Sequence, residues 1–161
     1  MRILFVAVLS LMLASCGFHL RGQATLPFET LYIDGNRDSP FVNELKRAVR
    51  SGSATKLVDN PSEAQGIVQI VGETRQKVIL TLSGGGRVRE YKLLYNIAYR
   101  VHDGKGKDLR PQGEISLKRE VSYDDTQLLA KESEEALLYR DMQSDAVQQL
   151  FRRLQVPKLN Q

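Results

Sequence analysis

Few residues in this chain of 161 could support catalysis or bind a metal. The chain contains one cysteine, Cys16, and two histidines, His19 and His102. These are too few residues to form a metal site of Cys and His ligands, and they offer little for a catalytic triad. Asp124 and Asp125 stand where a helix is expected to begin, and carboxylates there cap free amide groups. No nucleophile has a base beside it. The sequence therefore predicts no catalytic site, no metal site and no enzymatic activity.

Cys16 itself lies in a pattern that indicates covalent modification. Residues 1–15 start with Met and Arg and continue as an apolar run that ends in Leu-Ala-Ser before Cys16. The run is shorter than the ~20 residues of a membrane-spanning helix and is typical of a secretory signal peptide. Small residues directly before a cysteine resemble a bacterial lipobox. We therefore expect residues 1–15 to be a cleaved lipoprotein signal peptide; the alternative is a buried, unmodified Cys16 thiol in an N-terminal helix.

Lipidation at Cys16 would anchor the mature protein in a membrane. The lipobox implies a diacylglycerol on the thiol and an acyl chain on the new amino terminus, with no other cofactor. Each buried methylene group contributes ~0.8 kcal/mol, so three chains hold a protein in the bilayer permanently. Position 17 is Gly17 rather than the Asp that resembles an inner-membrane retention signal. We expect lipid anchoring to the cell outer membrane, with the protein body in the periplasm and no nucleic-acid partner.

The first part of the mature chain reads as a strand, a helix and a short strand. Thr30–Ile33 is rich in β-branched and aromatic residues. Ser39 and Pro40 are typical of a helix start, and Gly52 is typical of a helix end. Residues 56–58 form a possible short strand, which makes a crossover unit plausible.

The middle of the chain predicts antiparallel strands. Residues 67–82 are rich in β-branched types and have a polar middle over 73–77, and a glycine-rich turn follows at 83–86. Residues 91–101 and 115–123 then alternate between apolar and polar types, which is typical of half-buried strands. An Asp-Gly pair at 103–104 predicts the hairpin turn between them.

The final element is predicted to be a long helix over residues 127–154, with an apolar stripe at helical spacing. The stripe comprises Tyr139, Met142, Ala146, Val147, Leu150, Phe151 and Leu154. The predicted helix would be about 42 Å long, which exceeds the length of most strands, so one end of the helix would extend past the sheet. We therefore predict an α+β two-layer sandwich: a mostly antiparallel four-stranded sheet with two helices packed on one face. Residues 16–27 would be a lipidated tether and residues 28–161 a single domain.

Basic residues cluster around the glycine-rich turn. They are Arg75, Lys77, Arg87, Arg89 and Lys92. One interpretation is a solvated hairpin edge with solubilising charge. The other is an anion site, because guanidinium and ammonium groups bind phosphates, and lipid A phosphates are the obvious periplasmic candidates.

The residues that follow Cys16 point to a family. The sequence Cys-Gly-Phe-His-Leu-Arg over residues 16–21 closely resembles the start of mature LPS-assembly lipoproteins, the LptE (RlpB) family. Further similarity covers residues 47–50, 90–91 and 129–131. The resemblance implies a non-enzymatic subunit of the lipopolysaccharide translocon that plugs the LptD β-barrel, assists assembly of that barrel and binds lipopolysaccharide. The protein body would then lie in the periplasm or in the barrel lumen.

The resemblance also implies binding residues. A lysine that opens the last helix is implicated in lipopolysaccharide binding in the family, and Lys131 matches it. The family's second basic position lies at the hairpin tip, where this chain has Ser-Gly-Gly-Gly; Arg87 or Arg89 would supply the charge instead. Two alternatives remain: another envelope-assembly lipoprotein, such as a secretin pilotin or a barrel-assembly accessory, and a lipid-anchored hydrolase. The first does not predict the sequence after Cys16. The second would need a nucleophile with a base or a set of metal ligands, and the two isolated histidines argue against it.

Overall fold

The computed structural model describes residues 24–155, which form five strands and two α-helices. In chain order the elements are β1 (Thr30–Asp34), α1 (Pro40–Gly52), β2 (Lys56–Leu57), β3 (Gly66–Leu82), β4 (Val88–His102), β5 (Asp108–Ser122) and α2 (Leu128–Leu154). Short 3-10 turns precede β3 and α2. Neither described helix is long and apolar enough to cross a membrane. The predicted signal peptide, Cys16 and the segment that carries the family resemblance lie outside the described residues.

The predicted crossover unit is present at the start of the fold. The Ser39 hydroxyl caps α1 by accepting a hydrogen bond from the Val42 amide at 3.3 Å, and Pro40 occupies the first turn. After α1, β2 returns beside β1 in parallel and pairs over only two residues. The predicted start and end of the helix are confirmed, and each of the two strands differs from its predicted bounds by one residue.

The sheet differs from the prediction in strand number and direction. It has five strands in the order β2-β1-β3-β4-β5, and β1 runs parallel to both β2 and β3. The predicted sheet had four strands and was mostly antiparallel, so the α+β class is confirmed but the sheet is mixed. The additional strand is β2, which corresponds to residues 56–58, predicted only as a possible short strand and left out of the count of four. Parallel pairing on both sides of β1 is a long-range choice that no local pattern reveals.

Strand β3 runs from Gly66 to Leu82 and includes the polar stretch at residues 73–77. A β-bulge at Val71 shifts its register against β4, so that Glu73, Arg75 and Lys77 lie opposite apolar residues of β4. Because directly paired residues share a face, these three charged side chains point to the side covered by the helices. Pairing of β3 with β1 ends at Gln69. Beyond that point β3 and β4 form an arm, defined here as residues 71–98, whose β3 edge has no partner strand within the described chain.

One hydrophobic core joins the inner sheet face to both helices. The predicted apolar stripe of α2 is confirmed, since all seven of its members are buried. The first turns of α2 differ: no residue from Leu128 to Leu138 is fully buried, and Leu129 is 79% exposed. This end of α2 therefore projects beyond the core, alongside the arm.

Candidate functional site

The inward-facing charges of the arm are held by side chains of the sheet and of α1. The Glu73 carboxylate accepts hydrogen bonds from the Tyr95 hydroxyl at 2.7 Å and from the Ser39 hydroxyl at 2.6 Å. Tyr95 is completely buried, and this burial together with the bond to Glu73 raises its pKa above the ordinary value for tyrosine. Ser39 thus caps α1 and also ties the helix start to the arm.

Arg75 joins the arm to α2. Its guanidinium lies over the rings of Tyr95 and Tyr139, 5.4 Å and 5.6 Å from their centroids, and donates to the Gln143 side chain at 3.2 Å. Gln143 in turn donates to Glu44 of α1 at 2.7 Å. This chain of contacts spans three elements, and cation–π contacts of this kind contribute ~0.5–1 kcal/mol or more where they are desolvated.

Lys77 joins the outer part of the arm to the exposed part of α2. Its ammonium lies 2.6 Å from the Glu135 carboxylate and 4.3 Å from the centroid of the Tyr91 ring. Tyr91 packs edge-to-face against Tyr123, with ring centroids 5.2 Å apart. The hydrogen bond to Glu135 is the main cause of a raised Lys77 pKa. Lys77 is therefore held in its protonated form, and its charge is paired with the Glu135 carboxylate.

Lys131 lines a cavity of about 80 Å³ between the start of α2 and the ends of β4 and β5. Its ammonium donates to the Ser122 hydroxyl at 3.0 Å and to Glu134 at 2.9 Å, and its side chain is 18% exposed. Lys77, Tyr91 and Tyr123 contribute to the same cavity. The structure therefore places this predicted binding residue beside aromatic rings, with part of its charge satisfied internally.

Arg87 and Arg89 lie at the arm's outer end. The Tyr123 amide donates to the Arg89 carbonyl at 2.7 Å, so Arg89 lies next to the strand end that Lys131 contacts. Arg87 is nearer the tip, where its carbonyl accepts from the Ser83 amide at 2.7 Å. Both arginines are exposed, and neither forms an ion pair within the described chain. The structure thus brings Lys131 and Arg89 to one end of the sheet, with Arg87 further out.

The basic cluster seen in the sequence is divided by the fold. Arg75 and Lys77 turn towards the helices and are satisfied there. Lys92 pairs with Val78 and Glu120 in register and lies on the opposite face of the sheet. Only Arg87 and Arg89 remain near the tip. The sequence did not show this division because the bulge at Val71, which sets the faces of residues 72–79 of β3, has no local signature.

Exposed apolar side chains accompany the two arginines. On the outer part of β3 they are Val78, Ile79, Leu80 and Leu82, each between 38% and 56% exposed. Val78 and Leu82 pair with Lys92 and Val88, and therefore lie on the face opposite to Ile79. Leu128 and Leu129 at the start of α2 are exposed as well. Cations next to exposed apolar side chains suit an amphiphilic ligand with phosphates and acyl chains. No group of three or more His, Cys, Asp or Glu side chains within residues 24–155 could hold a metal ion.

Comparisons with known proteins agree on one family. A family model described as LptE, lipopolysaccharide-assembly, matches residues 28–154. The LPS-assembly lipoprotein LptE of Pectobacterium atrosepticum is 30% identical, with 94% of this chain and 84% of that protein covered. The protein of the same name from Yersinia enterocolitica is 29% identical, with 95% of this chain and 74% of that protein covered.

Solved structures share this architecture. The solution NMR structure of an uncharacterized lipoprotein B from Nitrosomonas europaea superposes with a TM-score of 0.75 at 42% identity, covering 86% of this chain and 90% of that one. The rare lipoprotein B from Shewanella oneidensis has the same fold, with a TM-score of 0.67 at 22% identity over 77% of this chain and 92% of that one. Because the family model matches residues 28–154, which are most of the chain, the chain belongs to the LptE family of lipopolysaccharide-assembly lipoproteins.

Proposed function

We propose that this protein is the non-enzymatic lipoprotein subunit of an outer-membrane lipopolysaccharide translocon. In this role it occupies the lumen of the LptD β-barrel, assists assembly of that barrel and binds lipopolysaccharide on its way to the cell surface. Membership of the family and the names of the relatives support the assignment to lipopolysaccharide assembly. The proposal includes cleavage after residue 15 and acylation of Cys16, which would hold the protein at the outer membrane.

The observation that carries the lipopolysaccharide part is the composition of the outer arm. Lipopolysaccharide presents phosphates and acyl chains together, and the outer arm carries both exposed cations, Arg87 and Arg89, and exposed apolar side chains, those of Ile79, Leu80 and Leu82. Lys131 of α2 contacts the end of β5, the strand next to that of Arg89, and would add a third cation once a phosphate displaces the Glu134 carboxylate. Such a site would use charge-assisted hydrogen bonds for the phosphates and apolar contact for the chains.

The outward face of the sheet supports the role in the barrel lumen. On β4 and β5 this face carries Lys92, Arg100, Glu114, Lys118 and Glu120. The interior wall of a large outer-membrane barrel is polar, so a polar sheet face is the kind of surface that a plug requires.

Substitution of the arm arginines tests the lipopolysaccharide site. The double variant Arg87→Gln/Arg89→Gln should bind lipopolysaccharide about tenfold or more weakly, because hydrogen bonds to charged groups contribute ~1.5–3 kcal/mol each. The matched control is Lys105→Gln/Lys107→Gln, which removes two exposed cations from the β4–β5 loop. Affinity is measured by titrating purified lipopolysaccharide in nonionic detergent, with circular dichroism to establish folding. Equal affinity of the two folded variants would refute the site.

Lys131→Gln is measured separately because Lys131 also bonds to Ser122 and Glu134. We expect the substitution to reduce the free energy of lipopolysaccharide binding by more than it reduces the free energy of unfolding. A variant that unfolds more readily but binds normally would leave Lys131 with a structural role only.

Isolation from outer membranes in mild detergent tests the partner. A very large β-barrel recovered in equal amount with the lipidated protein is the expected result. Recovery of a secretin or of the barrel-insertion machinery would instead favour another envelope-assembly role, and recovery without any partner would contradict both.

A further inference from the structure

A second basic pocket lies on the far side of β1 from the arm. This pocket, called here the α1–β2 pocket, has a volume of about 250 Å³. It is lined by Tyr32 and Ile33 of β1, Arg37 of the following loop, Lys46 and Arg50 of α1, and Leu57, Val58 and Asp59 at the end of β2. It shares no residue with the Lys131 cavity.

The charges that line the α1–β2 pocket do not balance. Arg37, Lys46 and Arg50 face a single carboxylate, that of Asp59, and none of the three cations forms an ion pair with another described residue. Lys46 and Arg50 are one helical turn apart, so their positive charges lie on one face of α1 and repel each other. Elsewhere in the described chain several partly buried cations, Lys77 and Lys131 among them, have carboxylate partners. An anion bound between the three cations would relieve this repulsion.

The backbone adds a donor to the same pocket. Strand β2 ends at Leu57, and the Val58 amide donates to the Leu31 carbonyl at 3.0 Å. Because backbone groups of alternate strand residues point to the same edge, the Ile33 amide also points to this edge. No described strand continues beside Ile33 there. An unpaired amide beside three cations at the carboxyl ends of parallel strands is an arrangement that suits anionic ligands.

We propose that the α1–β2 pocket binds a phosphate monoester group, carried either by a soluble organic molecule or by a lipid. Two arginines and one lysine suit the doubly charged group, since guanidinium forks match phosphate oxygens and the ammonium adds a point charge. The pocket is larger than one phosphate, and Leu57 and Val58 offer apolar surface for the carrier. The site is separate from the proposed lipopolysaccharide site and does not depend on it.

Amide shifts in NMR spectra of the full chain, isotopically labelled and held in nonionic detergent micelles, test this proposal. The probes are inorganic phosphate, glucose 1-phosphate, and micelles that contain phosphatidic acid, with glucose and sodium chloride at matched ionic strength as controls. We expect saturable shifts for the amides of Ile33, Arg37 and Val58. Binding of both soluble probes identifies a soluble phosphate ester or free phosphate as the ligand, and binding of phosphatidic acid alone identifies a lipid headgroup. An absence of saturable shifts with all three probes overturns the proposal.

Variants locate the binding. Lys46→Gln/Arg50→Gln retains good helix-forming residues, so α1 should persist, and phosphate binding should weaken about tenfold or more. Arg37→Gln, in the loop before α1, gives a second variant if the helix variant does not fold. Lys105→Gln/Lys107→Gln is the matched control and should bind normally. Equal affinity of the folded pocket variants and this control would show that binding is unspecific and would overturn the assignment.

Discussion

We expect the hydrogen bond from the Tyr95 hydroxyl to Glu73 to contribute strongly to the stability of the arm. Tyr95 is completely buried and donates to Glu73 at 2.7 Å, and the same carboxylate accepts from Ser39 at 2.6 Å. Tyr95→Phe removes this donor but keeps the ring and its contact with Arg75, so no large cavity opens. Hydrogen bonds to charged groups contribute ~1.5–3 kcal/mol, so the free energy of unfolding should fall by about 2 kcal/mol. For a domain of this size the corresponding fall in Tm is about 4–10 °C.

The same substitution should change how stability depends on pH. Burial, and then the hydrogen bond to Glu73, raise the pKa of Tyr95 above its ordinary value. A raised pKa means that stability is fully present below about pH 10, the unfolded value, and is lost as the pH rises further, because the unfolded chain releases the proton first. The raised Lys77 pKa acts in the same direction. The unsubstituted protein should therefore lose stability steeply above pH 10, and Tyr95→Phe should lose less.

Urea denaturation followed by circular dichroism between pH 7 and pH 11 measures both effects. Tyr91→Phe is the matched control, because the Tyr91 hydroxyl makes no hydrogen bond to a described residue while its ring would still pack against Tyr123. If Tyr95→Phe and Tyr91→Phe have the same stability at pH 7, or if the alkaline loss is unchanged in Tyr95→Phe, the reasoning about the buried hydrogen bond is wrong.

Three further substitutions test the packing of the fold by thermal and urea denaturation. Leu150→Ala, in the centre of the core, should lower the free energy of unfolding by about 2–5 kcal/mol; a loss below 1 kcal/mol would contradict its burial. Gly113→Ala should cost about 1–3 kcal/mol because the added Cβ would overlap the Tyr99 ring, whereas Gly84→Ala, with open space around it, should be nearly neutral. Equal effects of the two alanines would refute this difference. Ser39→Ala should lower the free energy of unfolding by about 1–2 kcal/mol, because it removes both the cap of α1 and a donor to Glu73. An unchanged midpoint of thermal and urea denaturation would count against both contacts.

The parts of the fold that were predictable are those with strong local patterns. Helix α1 begins at its predicted Ser-Pro cap and ends at Gly52, and the apolar stripe of α2 is buried as its spacing indicated. The alternation along β4 likewise gave the buried face of that strand. In each case the pattern, a period of 3.6 or 2 residues or a capping residue, lies within one helix or strand. It can therefore be recognised without knowing which other elements pack against that helix or strand.

The candidate site was only partly predictable. Lys131 and Arg89 were expected to act together, and the fold does bring them to one end of the sheet. The roles of Arg75 and Lys77 were not predictable, because a bulge at Val71 turns them towards α2. Their partners lie about sixty residues away along the chain, as in the contacts of Arg75 with Gln143 and of Lys77 with Glu135.

The sequence by itself therefore determined the elements, the family and the residues able to carry charge. The family followed from residues 16–21, which lie outside the described structure, because a short motif identifies relatives without any geometry. Only the tertiary structure decided the five-stranded mixed sheet, the division of the basic cluster and the existence of the α1–β2 pocket. These features arise from pairing between distant segments, in which a shift of one residue moves every following side chain to the other face.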